Sequence, residues 1–298
     1  MAITITPEIK ERVYEAMMLR RRNFDGTNGQ FARMYGLSGA IFTRIHNGER
    51  EGVLSPLKWL LLAQEFDVLL DSRKWKTAKT DVFKIIEEEI IFCKINSKAR
   101  IFVDDCGIGK TYSAKYIART LKNCFYIDCS QAKTKTQFIR LIAKSVGTEF
   151  KGRYYDVKTS LKIHLKTMNK PILIIDEAGD LEYQAFLELK EFWNATEGFV
   201  GWYMMGADGL RAKIERGISN RTVGYAEIFS RFSEKFTRIV PIDQRERSNF
   251  YKKLISDVLE ANNCPSEQMN RIISRCLIND NNGGIGGLRR AESLLILS

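Results

Sequence analysis

The sequence predicts an α/β fold, with a parallel sheet flanked by helices, between an N-terminal all-α segment and a C-terminal helical segment. Between residues 99 and 242, short apolar runs alternate with segments of helical periodicity. This alternation is typical of βαβ units, whose parallel strands are buried on both faces. Before residue 99 and after residue 242, apolar residues recur mainly at helical spacing.

Each element is predicted from its own residues. Apolar runs predict strands at 99–103, 124–130, 171–178 and 201–207, with a last strand at the end of 231–242. Helical periodicity predicts helices at 7–22, 81–95, 110–122, 134–147, 158–170 and 184–196. We therefore expect four parts: a helical domain at 1–72, a linker and leading helix at 73–98, the α/β core at 99–242 and a helical lid at 243–298.

The composition favours anionic partners. Of 298 residues, 47 are Lys or Arg and 36 are Asp or Glu, which gives a net charge of +11. Such an excess suits nucleic acid or phosphates. The apolar runs are too short to span a bilayer, so we expect no membrane partner. Six cysteines without a C-x-x-C pair argue against a zinc site and favour reduced thiols in a cytoplasmic protein.

A phosphate-binding loop is predicted at DDCGIGKT, residues 104–111, between a strand and a helix. Small residues let backbone N–H groups surround phosphates, a lysine reaches them, and a hydroxyl binds Mg²⁺. The predicted ATP-binding residues here are Gly107, Ile108, Gly109, Lys110, Thr111 and Tyr112. Asp104 stands where the motif has its first glycine, so we expect it to strain the loop or to place a carboxylate near phosphate.

A second motif, ILIIDEA, ends the predicted strand at 171–178 with two acids. Asp176 would complete the Mg²⁺ site with Thr111, and Glu177 would polarise the attacking water. With Lys110, Glu177 is the predicted catalytic pair within one chain. The order and spacing of the two motifs predict an ATP- and Mg²⁺-dependent ATPase.

The two motifs, followed by a helical tail, resemble the AAA+ family. In GGLRRAESLL, Arg289 matches the lid arginine that reaches the γ-phosphate in that family. In FSRF, Arg231 resembles the arginine finger that enters a neighbouring subunit's ATP site, with Arg221 and Arg238 as competitors. The resemblance implies a homo-oligomer with ATP between subunits. Ala207 stands where the family places a polar residue, which suits a slow, switch-like ATPase.

Two segments are candidates for DNA contact. QFARMYGLSGAIFTRIHNGE, at 30–49, resembles a repressor-type helix-turn-helix, which could present Thr43 and Arg44 to DNA; a small protein-binding domain is the alternative. Residues 131–170 hold ten Lys or Arg against two acids. Lys133, Lys135, Lys151 and Arg153 are the candidate phosphate contacts there, and a solvated helical face is the alternative.

A helix-turn-helix, a linker and a small AAA+ module, in this order, resemble the Mu B family of phage transposition proteins. The resemblance implies a protein that oligomerises as a filament or ring on duplex DNA with little sequence specificity. It also implies delivery of target DNA to a DDE transposase, stimulation of strand transfer, and disassembly driven by slow ATP hydrolysis.

Two other functions share the same motifs. A helicase loader or replication initiator of the AAA+ class would have the same ATPase and a different partner. A transcription regulator with a nucleotide-sensing domain would bind one discrete operator. The departures at Asp104 and Ala207 also leave open a module that binds nucleotide without hydrolysing it.

Overall fold

The computed structural model describes residues 5–68, 76–278 and 285–297. Four short helices come first: α1 (Pro7–Arg22), α2 (Asn28–Met34), α3 (Gly39–His46) and α4 (Pro56–Glu65). Each begins after a Ser or Thr whose hydroxyl accepts a backbone N–H of the first turn. These N-caps satisfy donors that the helix itself leaves free, so the sequence marks the helix starts locally.

The core then alternates helices and strands. Its elements are α5 (Asp81–Asn96), β1 (Ala99–Val103), α6 (Lys110–Thr120), β2 (Cys124–Asp128), α7 (Lys135–Val146), α8 (Tyr154–Thr167), β3 (Ile172–Asp176), α9 (Tyr183–Thr196), β4 (Gly201–Gly206), α10 (Asp208–Ser219), α11 (Tyr225–Arg231) and β5 (Phe236–Thr237). The lid comprises α12 (Gln244–Ala261), α13 (Ser266–Leu277) and α14 (Leu288–Leu297).

The strands form one parallel sheet in the order β2-β3-β4-β1-β5. All five residues of β3 and all six of β4 are buried, because helices cover both faces. Parallel strands end at the same edge, so the segments after β1, β2, β3 and β4 lie side by side. The predicted α/β class is confirmed, and that edge carries both predicted motifs.

The predicted strands are confirmed, with shorter bounds. The second strand stops at Asp128 because that side chain accepts the N–H of Ser130 at 3.0 Å and begins a 3-10 turn. The last strand has only two residues, Phe236 and Thr237, on the outer side of β1. The predicted helix at 158–170 begins earlier, at Tyr154, and ends at Thr167.

The N-terminal helices pack directly on the core, although the sequence suggests a domain set apart by a linker. Phe24 meets Phe125 of β2 edge-to-face at 6.2 Å. The buried guanidinium of Arg20 donates to the carbonyls of Ala118 (2.6 Å) and Cys124 (2.7 Å). Apolar residues of α1–α4 therefore share one continuous cluster with a face of the sheet. The predicted boundary at residues 72–73 lies outside the described residues.

The other face of the sheet is covered by α5 and α6, and the lid continues this side through Tyr251 and Leu254. The lid also has a small core of its own, formed by α12, α13 and α14. Among the residues that the structure describes, no helix combines the length and the apolar character needed to cross a bilayer.

Candidate nucleotide-binding site

The phosphate loop connects β1 to α6 and leaves backbone N–H groups free. Gly107 and Gly109 have φ angles of 77° and 96°, which glycine adopts without the steric cost that a Cβ brings. Gly109 is the N-cap of α6 and offers no side-chain acceptor to the first turn. The first turn of α6 therefore keeps donors available, and its positive dipole end favours an anion.

Lys110 lies inside this loop. Its Nζ donates to the carbonyl oxygens of Asp104 (2.7 Å) and Asp105 (2.5 Å). Burial lowers the pKa of Lys110, while the nearby acidic groups oppose this shift. The ammonium is thus held against the loop backbone, where the phosphates of a nucleotide would meet it.

The carboxylate of Asp176 adjoins the loop from the end of β3. The Thr111 hydroxyl and the Tyr126 hydroxyl each donate to its Oδ2 atom at 2.8 Å, and the N–H of Glu177 donates to its Oδ1 atom at 3.0 Å. The side chain is only 1% exposed. A hydroxyl and a carboxylate oxygen in contact are hard oxygen ligands of the kind that Mg²⁺ prefers, so these residues fit that ion.

Glu177 follows Asp176 with a φ of 50°, an uncommon conformation for a side chain with a Cβ. Desolvation, followed by the charge of Asp176, raises the pKa of Glu177. The turn after it is fixed from α10, where Lys213 Nζ donates to the carbonyls of Gly179 (2.9 Å) and Leu181. Glu177 is exposed at the sheet edge beside Asp176, which suits a base that contacts water.

Asp104 connects the phosphate loop to the segment after β5. Its Oδ2 accepts the backbone N–H groups of Ile239 (2.6 Å) and Val240 (3.0 Å), and Oδ1 accepts that of Asp105 (2.8 Å). The expectation that Asp104 strains the loop or places a carboxylate near phosphate stays a prediction. The side chain turns to the segment after β5, because those amides continue past the end of a two-residue strand and need acceptors.

The lid contacts the phosphate loop through residues that the sequence motifs do not identify. Asp105 accepts the Tyr251 hydroxyl at 2.8 Å and forms an ion pair of 2.5 Å with Arg247, both from α12. Further along, the N–H of Leu288 donates to the Gly107 carbonyl at 2.8 Å. The start of α14 therefore lies on the loop, with Arg289 exposed as its next residue.

Three further predicted residues are placed as follows. Tyr112 is 40% exposed, and its hydroxyl lies 2.6 Å from that of Thr77, ahead of α5. Arg231 lies at the end of α11, donates to Asn194 at 2.6 Å and stacks over Trp193 of α9. Ala207 is the N-cap of α10 directly after β4, so the edge has a methyl group at that position.

The core residues predicted to contact DNA lie at or just before the starts of α7 and α8. Lys135 Nζ is 5.8 Å from the ring centroid of Tyr154, the residue after Arg153. Lys133 pairs with Asp180 at 3.6 Å, and its carbonyl accepts the N–H of Glu182. All four predicted cations, Lys133, Lys135, Lys151 and Arg153, are exposed. The segment of Lys133 thus adjoins the turn that follows Glu177.

Acidic residues from another helix neutralise part of the charge of the basic stretch at 131–170. Lys158 pairs with Glu188 (2.7 Å) and with Glu191 of α9, and Lys162 pairs with Glu191 at 2.6 Å. The helix α9 therefore compensates part of the charge of α8. Lys135, Lys151 and Arg153 lie outside this pairing and are exposed near the starts of α7 and α8.

The predicted DNA contacts of the N-terminal domain lie on α3, and both are exposed. The Thr43 hydroxyl donates to the Gly39 carbonyl of its own helix at 2.9 Å. Arg44 forms an ion pair of 2.8 Å with Glu49, and both side chains are about half exposed. An exposed pair of this kind is worth little and can open when a phosphate competes.

Tyr126, Asp105, Arg247 and Tyr251 are the site residues that sequence reasoning missed. Tyr126 lies inside the second predicted strand, two residues before its acidic end. Its spacing predicts that it shares a face with Asp128, because side chains two apart do so, but the register that brings it to Asp176 is set by the sheet. The lid residues gave no signal, since their contact with the loop depends on how α12 folds back.

The chain is similar in sequence to known proteins. The AAA domain family matches residues 104–214. The Mu-like prophage FluMu DNA transposition protein B of Haemophilus influenzae is 22% identical over 213 residues, which cover 70% of this chain and 73% of that protein. The ATP-dependent target DNA activator B of Escherichia phage Mu is 26% identical over 220 residues, covering 72% of this chain and 68% of that protein.

One solved structure shows the same fold. The Orc1 protein of Aeropyrum pernix, in complex with DNA, superposes with a TM-score of 0.53 at 15% identity, covering 75% of this chain and 60% of that one. The resemblance drawn from the motifs is confirmed by these relatives. The AAA domain family thus matches the core of this chain, which is similar, over about seven-tenths of its length, to the Mu B transposition proteins.

Proposed function

We propose that this chain is an ATPase that activates target DNA for a transposase. The observation that carries the proposal is that Lys110, Thr111, Asp176 and Glu177 lie together at one edge of the sheet. The chain that holds them is similar to target DNA activator B. The names of the relatives support target DNA as the substrate, and the site geometry supports ATP hydrolysis as the chemistry. The helicase loader and the regulator have no observation of their own in their favour.

ATP binding is assigned to the phosphate loop and the start of α6. The N–H groups of Gly107–Tyr112 surround the phosphates, and Lys110 gives up its carbonyl partners to contact them. Thr111 and Asp176 would hold Mg²⁺, which supplies charge stabilisation at the phosphates when bound. Glu177 takes a proton from water at its exposed carboxylate.

We assign assembly to Arg289 of the lid and Arg231 of α11. Arg289 lies next to the loop, where it can sense the terminal phosphate. Arg231 serves a neighbouring subunit's nucleotide once it leaves Asn194, so that ATP binding favours a filament or ring. Ala207 leaves the attacking water without a polar partner, which supports slow hydrolysis that acts as a timer for disassembly.

Contact with duplex DNA is assigned to the loops of Lys133, Lys135, Lys151 and Arg153, with Thr43 and Arg44 as a second surface. Lysine and arginine contacts to phosphate do not read sequence, so we expect little sequence preference. The connection of Lys133 to the Asp180 turn gives a route by which DNA and nucleotide influence each other.

Electron microscopy of the full chain on random-sequence duplex DNA tests this function. We expect filaments or rings with ATP, and none with ADP, without nucleotide, or with Lys110→Ala. Lys98→Ala, an exposed lysine just before β1 at the opposite edge of the sheet, is the matched control and should assemble normally. Particles that form regardless of nucleotide, or binding at a single operator, would contradict the proposal.

A further inference from the structure

The Asp176 carboxylate is held by two hydroxyl groups at a single oxygen. Oδ2 accepts from Thr111 and from Tyr126, each at 2.8 Å, while Oδ1 accepts the neighbouring backbone N–H of Glu177. An ionised carboxylate has no proton to give, so both hydroxyls must donate. The orientation of the carboxylate therefore depends on Tyr126 as well as on Thr111.

The sheet register places Tyr126 where it can reach this oxygen. Tyr126 of β2 lies opposite Ile174 of β3, and Asp128 lies opposite Asp176. Tyr126 is therefore the diagonal neighbour of Asp176 on the same face, a separation that an aromatic side chain can span. Its ring packs against the core beneath Lys115, whose Nζ is 5.6 Å from the ring centroid, so the phenol is fixed in place.

The pairing determines how Thr111 can use its hydroxyl. A hydroxyl has one proton and two lone pairs. When the proton of Thr111 is given to Asp176, both lone pairs stay free for a cation. A rotation of the Asp176 carboxylate would break this hydrogen bond. The Thr111 hydroxyl could then turn, and its lone pairs would point in another direction.

We propose that Tyr126 is a positioning residue of the Mg²⁺ site, which fixes Asp176 so that the Thr111 hydroxyl faces the ion in the correct orientation. The proposal rests on the nucleotide-dependent function proposed above. Tyr126 contacts neither water nor phosphate in this role and acts only through Asp176. Groups that orient metal ligands in this way commonly change metal affinity by about 10- to 100-fold when they are removed.

Tyr126→Phe tests the inference, because it removes the hydroxyl and keeps the ring. Fluorescent ADP is bound to the full chain, and Mg²⁺ is titrated while anisotropy is recorded. We expect the half-saturating Mg²⁺ concentration to rise by about 10-fold or more, with ADP affinity in EDTA unchanged within twofold. A merely structural role would weaken ADP binding equally with and without Mg²⁺.

Tyr116→Phe is the matched control, since Tyr116 is a half-buried tyrosine of α6 that packs edge-to-face against Phe83 at 5.4 Å. Its Mg²⁺ titration should equal that of the wild type. In an Asp176→Asn background, Tyr126→Phe should add less than a twofold further change, because the two residues act as one unit. Tyr126→His has a ring too short to reach Asp176, so it should raise the half-saturating Mg²⁺ concentration in the same way. It replaces Tyr126→Phe in the experiment if that variant does not fold.

An unchanged Mg²⁺ requirement in folded Tyr126→Phe would overturn the inference. Additive effects of Tyr126→Phe and Asp176→Asn would overturn it as well. A wild-type chain that binds ADP equally with Mg²⁺ and with EDTA would instead count against the proposed ATPase site, so the two failures are distinguishable.

Discussion

At the scale of residues, Asp104 shows how a departure from a motif can be structural. Its carboxylate is 1% exposed, and burial of a charge is costly unless it is hydrogen-bonded. Three backbone N–H groups, from Asp105, Ile239 and Val240, provide those bonds. The side chain thus ties the phosphate loop to the segment after the edge strand, a task that glycine could not perform.

Glu177→Gln should stop hydrolysis without preventing ATP binding. Glutamine keeps the shape and cannot accept a proton, so we expect the hydrolysis rate to fall by about 100-fold or more. Phosphate release and ADP or ATP binding are measured in parallel. Glu182→Gln, the N-cap of α9 in the same segment, is the control and should retain the wild-type rate. Hydrolysis that persists in Glu177→Gln would assign the base to another residue.

Cys106 should be the first cysteine to react with iodoacetamide, and ATP should protect it. It is exposed within the phosphate loop, whereas the other five cysteines are buried. Peptide mass spectrometry after timed alkylation measures the rate at each position. We expect a single fast adduct that abolishes nucleotide binding, slowed about tenfold by saturating ATP. Cys106→Ser should bind nucleotide and give no fast adduct; equal rates with and without ATP would place the nucleotide elsewhere.

At the scale of elements, α1 belongs to the core as much as to the N-terminal helices. Arg20 donates to the carbonyls of Ala118, near the end of α6, and of Cys124, at the start of β2. Its guanidinium also lies 5.3 Å from the Phe125 ring centroid. A cation at the C-terminal end of α6 complements its dipole, while the opposite end forms the phosphate site.

Arg20→Met should destabilise the protein by about 2–4 kcal/mol, because two buried carbonyls lose a charged donor while most of the apolar contact remains. The free energy of unfolding is measured by urea denaturation monitored by circular dichroism. Arg22→Met, an exposed residue in the last turn of α1, is the control and should stay within about 0.5 kcal/mol of the wild type. Equal stability of both variants would show that the two parts fold without this contact.

At the scale of the whole molecule, the position of the charge matters more than its net value. Cations along α8 are partly neutralised by Glu188 and Glu191 of α9, whereas Lys135, Lys151 and Arg153 are exposed near the starts of α7 and α8. Exposed lysines at the opposite edge, such as Lys98 and Lys170, precede the strands. The cations at one edge of the sheet therefore lie near the candidate nucleotide site, whereas those at the opposite edge lie away from it.

Replacing the four loop cations should weaken DNA binding and flatten its salt dependence. Each phosphate contact contributes about 0.9 to the slope of log affinity against log salt, so four contacts lower it by about 3 to 4. Binding to random duplex DNA is measured by fluorescence anisotropy at several salt concentrations. The variant carries Ala at Lys133, Lys135, Lys151 and Arg153.

Alanine at Lys98, Lys122, Lys166 and Lys170 removes the same charge from the other edge and is the matched control. We expect its salt slope to stay within about one unit of the wild type. Equal losses in both variants would show that net charge, rather than the loops, attracts DNA.

Much of the fold could be predicted because its signals are local. N-cap residues such as Thr6, Thr27 and Ser55 mark helix starts, and continuous apolar runs mark strands buried on both faces. Lys110, Thr111, Asp176 and Glu177 were found for the same reason, since their motifs are short and follow strand ends. Strand lengths were overestimated where a polar side chain, such as Asp128, ends the strand by its own hydrogen bond.

The sequence by itself determined the element order, the α/β class and the residue types at the nucleotide edge, because periodicity and motif spacing are properties of neighbouring residues. Only the tertiary structure decided which distant groups meet. It placed Arg20 in the core, turned Asp104 toward Val240, brought Arg247 to Asp105 and set Tyr126 against Asp176. These contacts depend on strand register and on the packing of one element against another, which no local pattern encodes.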